Sequence, residues 1–139
     1  MSRHPALWCV VSLGLALTAC DAKKEGPKES PVERGRYIVT RVGMCIDCHS
    51  PWKEGHPDPD HPMAGSKLGF APLGPVPEWQ TAAPALAGLG DRTDDEVIKV
   101  LTAGIKANGK PPRPPMPPIR LTDEDARAVV AFLRSLKAP

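Results

Sequence analysis

Cys45-Ile-Asp-Cys48-His49 sets two thiols three positions apart and an imidazole directly after the second. Thiols at this spacing can cycle as a redox dithiol, hold half of a zinc site, or add as thioethers across two vinyl groups on one edge of a porphyrin. Only the third use employs the adjacent His, whose imidazole then projects beneath the iron. A redox dithiol needs a βαβ surrounding, and no alternating strand-rich segment flanks Cys45. A zinc site needs further ligands, and His56 and His61 are the available pair. They lie in Gly-His-Pro-Asp-Pro-Asp-His-Pro, a proline-broken acidic loop that would hold ligands poorly. The motif therefore predicts one covalently attached haem c, anchored by Cys45 and Cys48, with His49 on the iron.

An iron held by one His needs a second axial group, water or nothing. Met44 precedes the first thiol and is tied to the His49 side. Met63 follows His61-Pro62, and Met116 sits in Pro-Pro-Arg-Pro-Pro-Met-Pro-Pro. Prolines fix φ and extend the chain, so such a segment can hold one unbranched thioether with little entropy left to lose on folding. Thioether sulfur suits ferrous haem and raises its potential. Met116 is thus the favoured sixth ligand, with Met63, His56 and His61 as rivals. Without a haem, the same stretch is a polyproline linker carrying an incidental Met.

The first nineteen residues read as a signal peptide. Arg3 and His4 form a polar start, Ala6 to Leu17 an apolar run, and Leu17-Thr18-Ala19-Cys20 its end. About a dozen apolar residues are too few to span a bilayer of roughly 30 Å. The ending resembles a bacterial lipobox, which predicts lipidation of Cys20. The alternative is an ordinary cleavage nearby that leaves a free thiol. Cys9 then leaves with the leader, Cys20 takes lipid, and Cys45 and Cys48 take haem, so no thiol remains for a disulfide. Residues 20–32 are Lys-, Glu-, Gly-, Pro- and Ser-rich and read as a flexible tether. The expected location is the bacterial periplasm, lipid-anchored to the membrane; Asp21 after the lipobox Cys points to the inner one.

From residue 33 onward about 105 residues remain, enough for one small domain. Aromatics are few and most of the 18 prolines fall here, so a buried porphyrin would supply apolar mass that the side chains lack. Three helices are predicted. The first, about 33 to 43, puts Ile38 and Val42 on one face. The second follows the capping box Thr93-x-x-Glu96 and repeats apolar residues at Val97, Leu101 and Ile105. The third follows Thr122, with Asp123, Glu124 and Asp125 in its first turn and a stripe of Val129, Phe132, Leu133 and Leu136. No strand pattern stands out. The fold class is all-α.

These features, in this order, resemble a class I cytochrome c over residues 33–139: the helix into Cys-Ile-Asp-Cys-His, Pro84-Ala85-Leu86-Ala87-Gly88-Leu89, the helix Asp94 to Ile105, Met116-Pro117, and Leu121-Thr122-Asp123-Glu124-Asp125. The run from Gly35-Arg36-Tyr37-Ile38 to Cys-His-Ser-Pro is similar to cytochrome domains that serve periplasmic dehydrogenases. The resemblance implies first and last helices crossing beside the covalently bound haem, with Gly35, Ile38, Val39 and Val42 against Val129, Phe132, Leu133 and Leu136. It also implies a proline carbonyl that accepts from the proximal His, Pro84 matching that position and Pro75 standing second. Between His49 and Pro84 the chain departs from short family members by an extra polar, proline-rich loop carrying Trp52, Phe70 and Trp79.

The expected function is single-electron transfer between redox donor and acceptor proteins, with no catalytic residues. The alternatives are a cytochrome subunit of a periplasmic dehydrogenase complex and a five-coordinate haem that binds gas or reduces peroxide. Eighteen Lys and Arg against sixteen Asp and Glu give +2, one less without Arg3. With no basic patch interleaved with aromatics, no nucleic-acid binding is expected.

Overall fold

The computed structural model describes residues 29–139. The expected signal peptide with Cys9, and residues 20–28 of the expected tether with Cys20, lie outside the described residues. Helix α1 spans Pro31–Tyr37 and opens on a reciprocal box. The Ser30 hydroxyl accepts from the Glu33 amide at 3.2 Å while the Glu33 carboxylate accepts from the Ser30 amide at 3.2 Å. Pro31 takes the first helical position, where its missing N–H costs nothing. The helix therefore begins inside the stretch that composition assigned to the tether, two residues before the expected boundary.

The backbone then widens into a π-helical segment, Ile38–Val42, closed by the Gly43 amide on the Ile38 carbonyl at 2.7 Å. Wider turns break the i, i+4 phase. Ile38 and Val39 stay buried, but Val42 rotates outward and is 57% exposed, correcting its expected place in the helix interface. Met44 adopts a left-handed conformation, φ 49°, and the chain enters α2, Cys45–His49.

Two small antiparallel ladders follow: β1 (Trp52–Lys53) with β2 (His56–Pro57), and β3 (Ser66–Lys67) with β4 (Ala82–Ala83). Two residues per strand are too few to show alternation, so the sequence carried no sign of them. The architecture is otherwise helical. Helix α3, Asp94–Ala103, has the expected Thr93–Glu96 box and ends at Gly104 in the left-handed region, φ 67°. It buries Ile98 and Leu101. Helix α4, Asp123–Ser135, is capped by Thr122 and buries Ala126, Ala128, Val129, Val130, Phe132 and Leu133.

Helices α1 and α4 pack backbone to backbone. A Cβ on Gly35 would stand 1.9 Å from the Ala128 carbonyl oxygen and 2.8 Å from Phe132 Cβ, so only glycine fits. Beside this contact Arg34 Nε donates to Asp125 at 2.8 Å. Arg134 fastens the other end of α4, donating to Asp94 and to the Gly88 and Arg92 carbonyls. The resulting core joins Ile38, Val39, Leu89, Ile98, Leu101 and the inner face of α4. No helix among the described residues is long and apolar enough to cross a membrane.

Candidate haem site

Cys45, Cys48 and His49 all fall on the single short helix α2, so one local element positions both thiols and the imidazole. His49 is only 7% exposed. Its Nδ1 lies 2.8 Å from the Pro84 carbonyl oxygen, while Pro75, the second candidate, makes no such contact. Burial pushes the His49 pKa down, opposed by the Pro84 hydrogen bond. A neutral ring that donates through Nδ1 keeps the Nε2 lone pair available for a metal.

Pro84 owes its position to bonds on both sides. The β3–β4 register pairs Ser66 with Ala83 just before it. Just after it, the Leu86 and Ala87 amides donate to the Met63 carbonyl at 2.8 and 3.0 Å. The Gly65 amide donates to the His49 carbonyl at 2.7 Å. Gly65 has φ 85°, and a Cβ there would meet the Ala85 nitrogen at 2.8 Å.

Met63 is 1% exposed and belongs to the core. The sequence treated it only as a rival ligand; a lone large apolar residue in a polar loop was the signal for an anchor. The two loop imidazoles make local contacts: His56 Nδ1 lies 3.0 Å from the Pro57 carbonyl, and His61 Nδ1 2.9 Å from Asp58 Oδ2. Among the described residues no group of three or more His, Cys, Asp or Glu is arranged to hold a metal ion. Burial also pushes the Cys45 thiol up, the reverse of what a reactive dithiol needs.

Met116 is half-buried within the turn Arg113 to Met116, its own amide donating to the Arg113 carbonyl at 3.2 Å. The extra loop reaches this segment: the Gln80 amide donates to the Pro114 carbonyl at 2.7 Å, and Glu78 lies 3.7 Å from Arg113. Further on, the Leu121 amide donates to the Leu101 carbonyl at 2.9 Å. The polyproline stretch is therefore seamed to the loop at one end and to α3 at the other.

A cleft of about 750 Å³ opens beside Cys48, lined by Asp47, Trp52, Lys67, Leu68 and Phe70 among others. Phe70 packs edge-on to Trp79 with ring centroids 5.9 Å apart. The Trp79 indole N–H is buried with no partner among the described residues. An unpartnered buried donor costs free energy unless an acceptor from elsewhere meets it. A porphyrin carries carboxylates that are such acceptors. Paired thiols and a neutral imidazole on one helix, with a buried hydrogen-bond donor left unclaimed, fit haem.

The chain is 30% identical over 121 residues to the cytochrome c subunit of a quinone alcohol dehydrogenase from Gluconobacter oxydans, covering 85% of this chain and 24% of that protein. It is 32% identical over 111 residues to the gluconate 2-dehydrogenase cytochrome c subunit of Pantoea cypripedii, covering 78% and 24%. A dihaem c-type cytochrome of Cereibacter sphaeroides is 30% identical over 121 residues, covering 82% and 38%. The chain thus spans about a quarter of the length of the first two. A family model described as Cytochrome c matches residues 32–137, so the chain belongs to the cytochrome c family, whose members hold covalently attached haem c and transfer electrons.

Proposed function

We propose that this protein is a monohaem electron carrier, held at the periplasmic face of a membrane by lipid on Cys20, that passes single electrons between redox proteins. The observation that carries this reading is the buried His49 imidazole, fixed on the Pro84 carbonyl within the same helical turn as both thiols. Cys45 and Cys48 would anchor the haem, and His49 and Met116 would ligate its iron. The bound haem supplies one reversible electron at its iron. The chain's work would be to keep both ligating side chains in place through both oxidation states, so that little reorganises when the electron moves. His49 keeps its Nδ1 proton on Pro84 throughout, and no side chain needs to gain or lose a proton. Docking of each partner would bury an interface at the small end of the known range.

Intact mass of the natively matured protein tests this directly. The expected mass carries one haem adduct and an acylated Cys20, and the ferric absorption spectrum shows the weak red band of a thioether ligand. A mass without haem overturns the reading, and two haems or an unmodified Cys20 overturns its monohaem or tethered form.

The relatives named above favour a second reading, a cytochrome subunit of a dehydrogenase complex. Trp52, Phe70 and Leu73 on the extra loop are exposed and would be available to a larger subunit. Co-elution with a dehydrogenase in mild detergent would support it; elution alone supports the free carrier.

A further inference from the structure

Directly after His49 stands Ser50, a fully buried polar side chain, 0% exposed, that the electron-transfer reading leaves without a task. Its hydroxyl accepts from the Met63 amide at 2.8 Å. Met63 has φ 60°, an uncommon conformation for a residue with a side chain, so its surroundings must hold it there. The Met63 carbonyl in turn receives the Leu86 and Ala87 amides, two and three residues beyond Pro84. Two residues on, Gly65 returns to the His49 carbonyl. The path runs from Ser50 through Met63 to the Pro84 segment and back to the imidazole beside which it began.

We propose that Ser50 is a positioning residue for the His49–Pro84 hydrogen bond, acting through Met63. The proposal rests on the haem-bearing reading above. Without the hydroxyl, the Met63 amide is buried with no acceptor, a state the loop relieves only by moving. That movement shifts the Met63 carbonyl from the Leu86 and Ala87 amides and so shifts the Pro84 carbonyl from Nδ1. A metal-bound imidazole whose Nδ1–H bond weakens becomes a less basic ligand. A less basic ligand stabilises ferric iron less, so the midpoint potential rises.

The test is Ser50→Ala in the full, natively matured holoprotein, with Ser50→Thr as the variant that keeps the hydroxyl. In Ser50→Ala the ferric-to-ferrous ratio at a fixed ambient potential is expected to move several-fold toward ferrous. Exchange of the His49 Nδ1 proton, followed by NMR in the ferrous state, is expected to quicken. Ser50→Thr restores both toward wild type. A lowered melting temperature with unchanged potential and unchanged Nδ1–H exchange overturns the proposal, because the hydroxyl then serves stability alone. If Ser50→Ala does not accumulate, the wild-type protein decides: the Met63 amide and His49 Nδ1 protons should exchange through one shared opening, and independent openings overturn the proposal. Covalent haem is checked by mass in each sample, so absence of haem from wild type counts against the electron-carrier reading and not against Ser50.

Discussion

His49 and Met116, the two proposed iron ligands, are held by different means. Around His49, four hydrogen bonds converge: Pro84 on the ring, Gly65 on the carbonyl, Met63 on the neighbouring Ser50, and Ile46 on the Ser50 amide. Around Met116 the local bond stays within its own turn, and connection to the body comes at Pro114 and Leu121. What stiffens that side is proline at 114, 115, 117 and 118. Hydrogen bonds restrain the native state; prolines restrict the unfolded chain, leaving less freedom to lose. The imidazole side therefore resists displacement by its network, whereas the thioether side resists it by backbone stiffness between two seams.

The sharpest way to break this contrast is Met116→Ala. The sulfur goes while every bond around His49 stays, so covalent haem should persist while the red ferric band vanishes and the reduced protein binds carbon monoxide readily. Absorption spectra before and after carbon monoxide check it, and an unchanged ferric spectrum would show that Met116 is not the ligand. Gly65→Ala attacks the opposite side. The added Cβ meets Ala85 at 2.8 Å in a left-handed backbone, a strain of about 1–3 kcal/mol. Each kcal/mol should lower the melting temperature by roughly 4–8 °C in a domain of this size, measured by circular dichroism.

Pro117→Gly loosens the thioether side alone. Restored chain freedom should cost about 1 kcal/mol, and the ferric protein should take up added imidazole faster in stopped-flow absorption while the His49 Nδ1–H exchange stays unchanged. The smallest effect belongs to Asp58 in the loop before Met63. The hydrogen bond from His61, then that from the Asp60 amide, holds its carboxyl below the usual range. A carboxyl with a lowered folded-state pKa contributes stability above its unfolded pKa, near 4, and loses it as pH falls through the folded value. Asp58→Asn should therefore lower stability slightly at neutral pH and converge with wild type as pH falls through the folded value, which flattens the acid side of the stability curve. Thermal melts in a pH series check this.

Much of the site was legible because its information is local. Cys45 to His49 is one contiguous motif, and the caps at Thr93 and Thr122 act within three residues. Pro84 was reached only through family resemblance, since 35 residues separate it from His49 and no local rule links them. The Ser30–Glu33 box obeys the same rule as the one at Thr93, yet the polar composition upstream hid it. Val42 was misplaced because the π-helical turn breaks the phase on which periodicity depends. Met63 and Ser50 escaped for the opposite reason to the caps: their partners are distant, and a buried Ser looks like any loop Ser until Met63 is seen above it. The loop between His49 and Pro84, taken as a departure from the family pattern, supplies many of the bonds that position both candidate ligands.

The glycine that lets the first helix lie on the last also dictates when this domain can close. Gly35 needs the backbone at Ala128, so a chain emerging from its N-terminus has no finished interior until almost its final turn has been made. Contacts of such long sequence separation carry a loop-closure cost in entropy. Until that contact forms, the α2 segment carrying Cys45, Cys48 and His49 lacks the completed α1–α4 packing behind it. One missing methyl group thereby ties completion of the interior to the last helix.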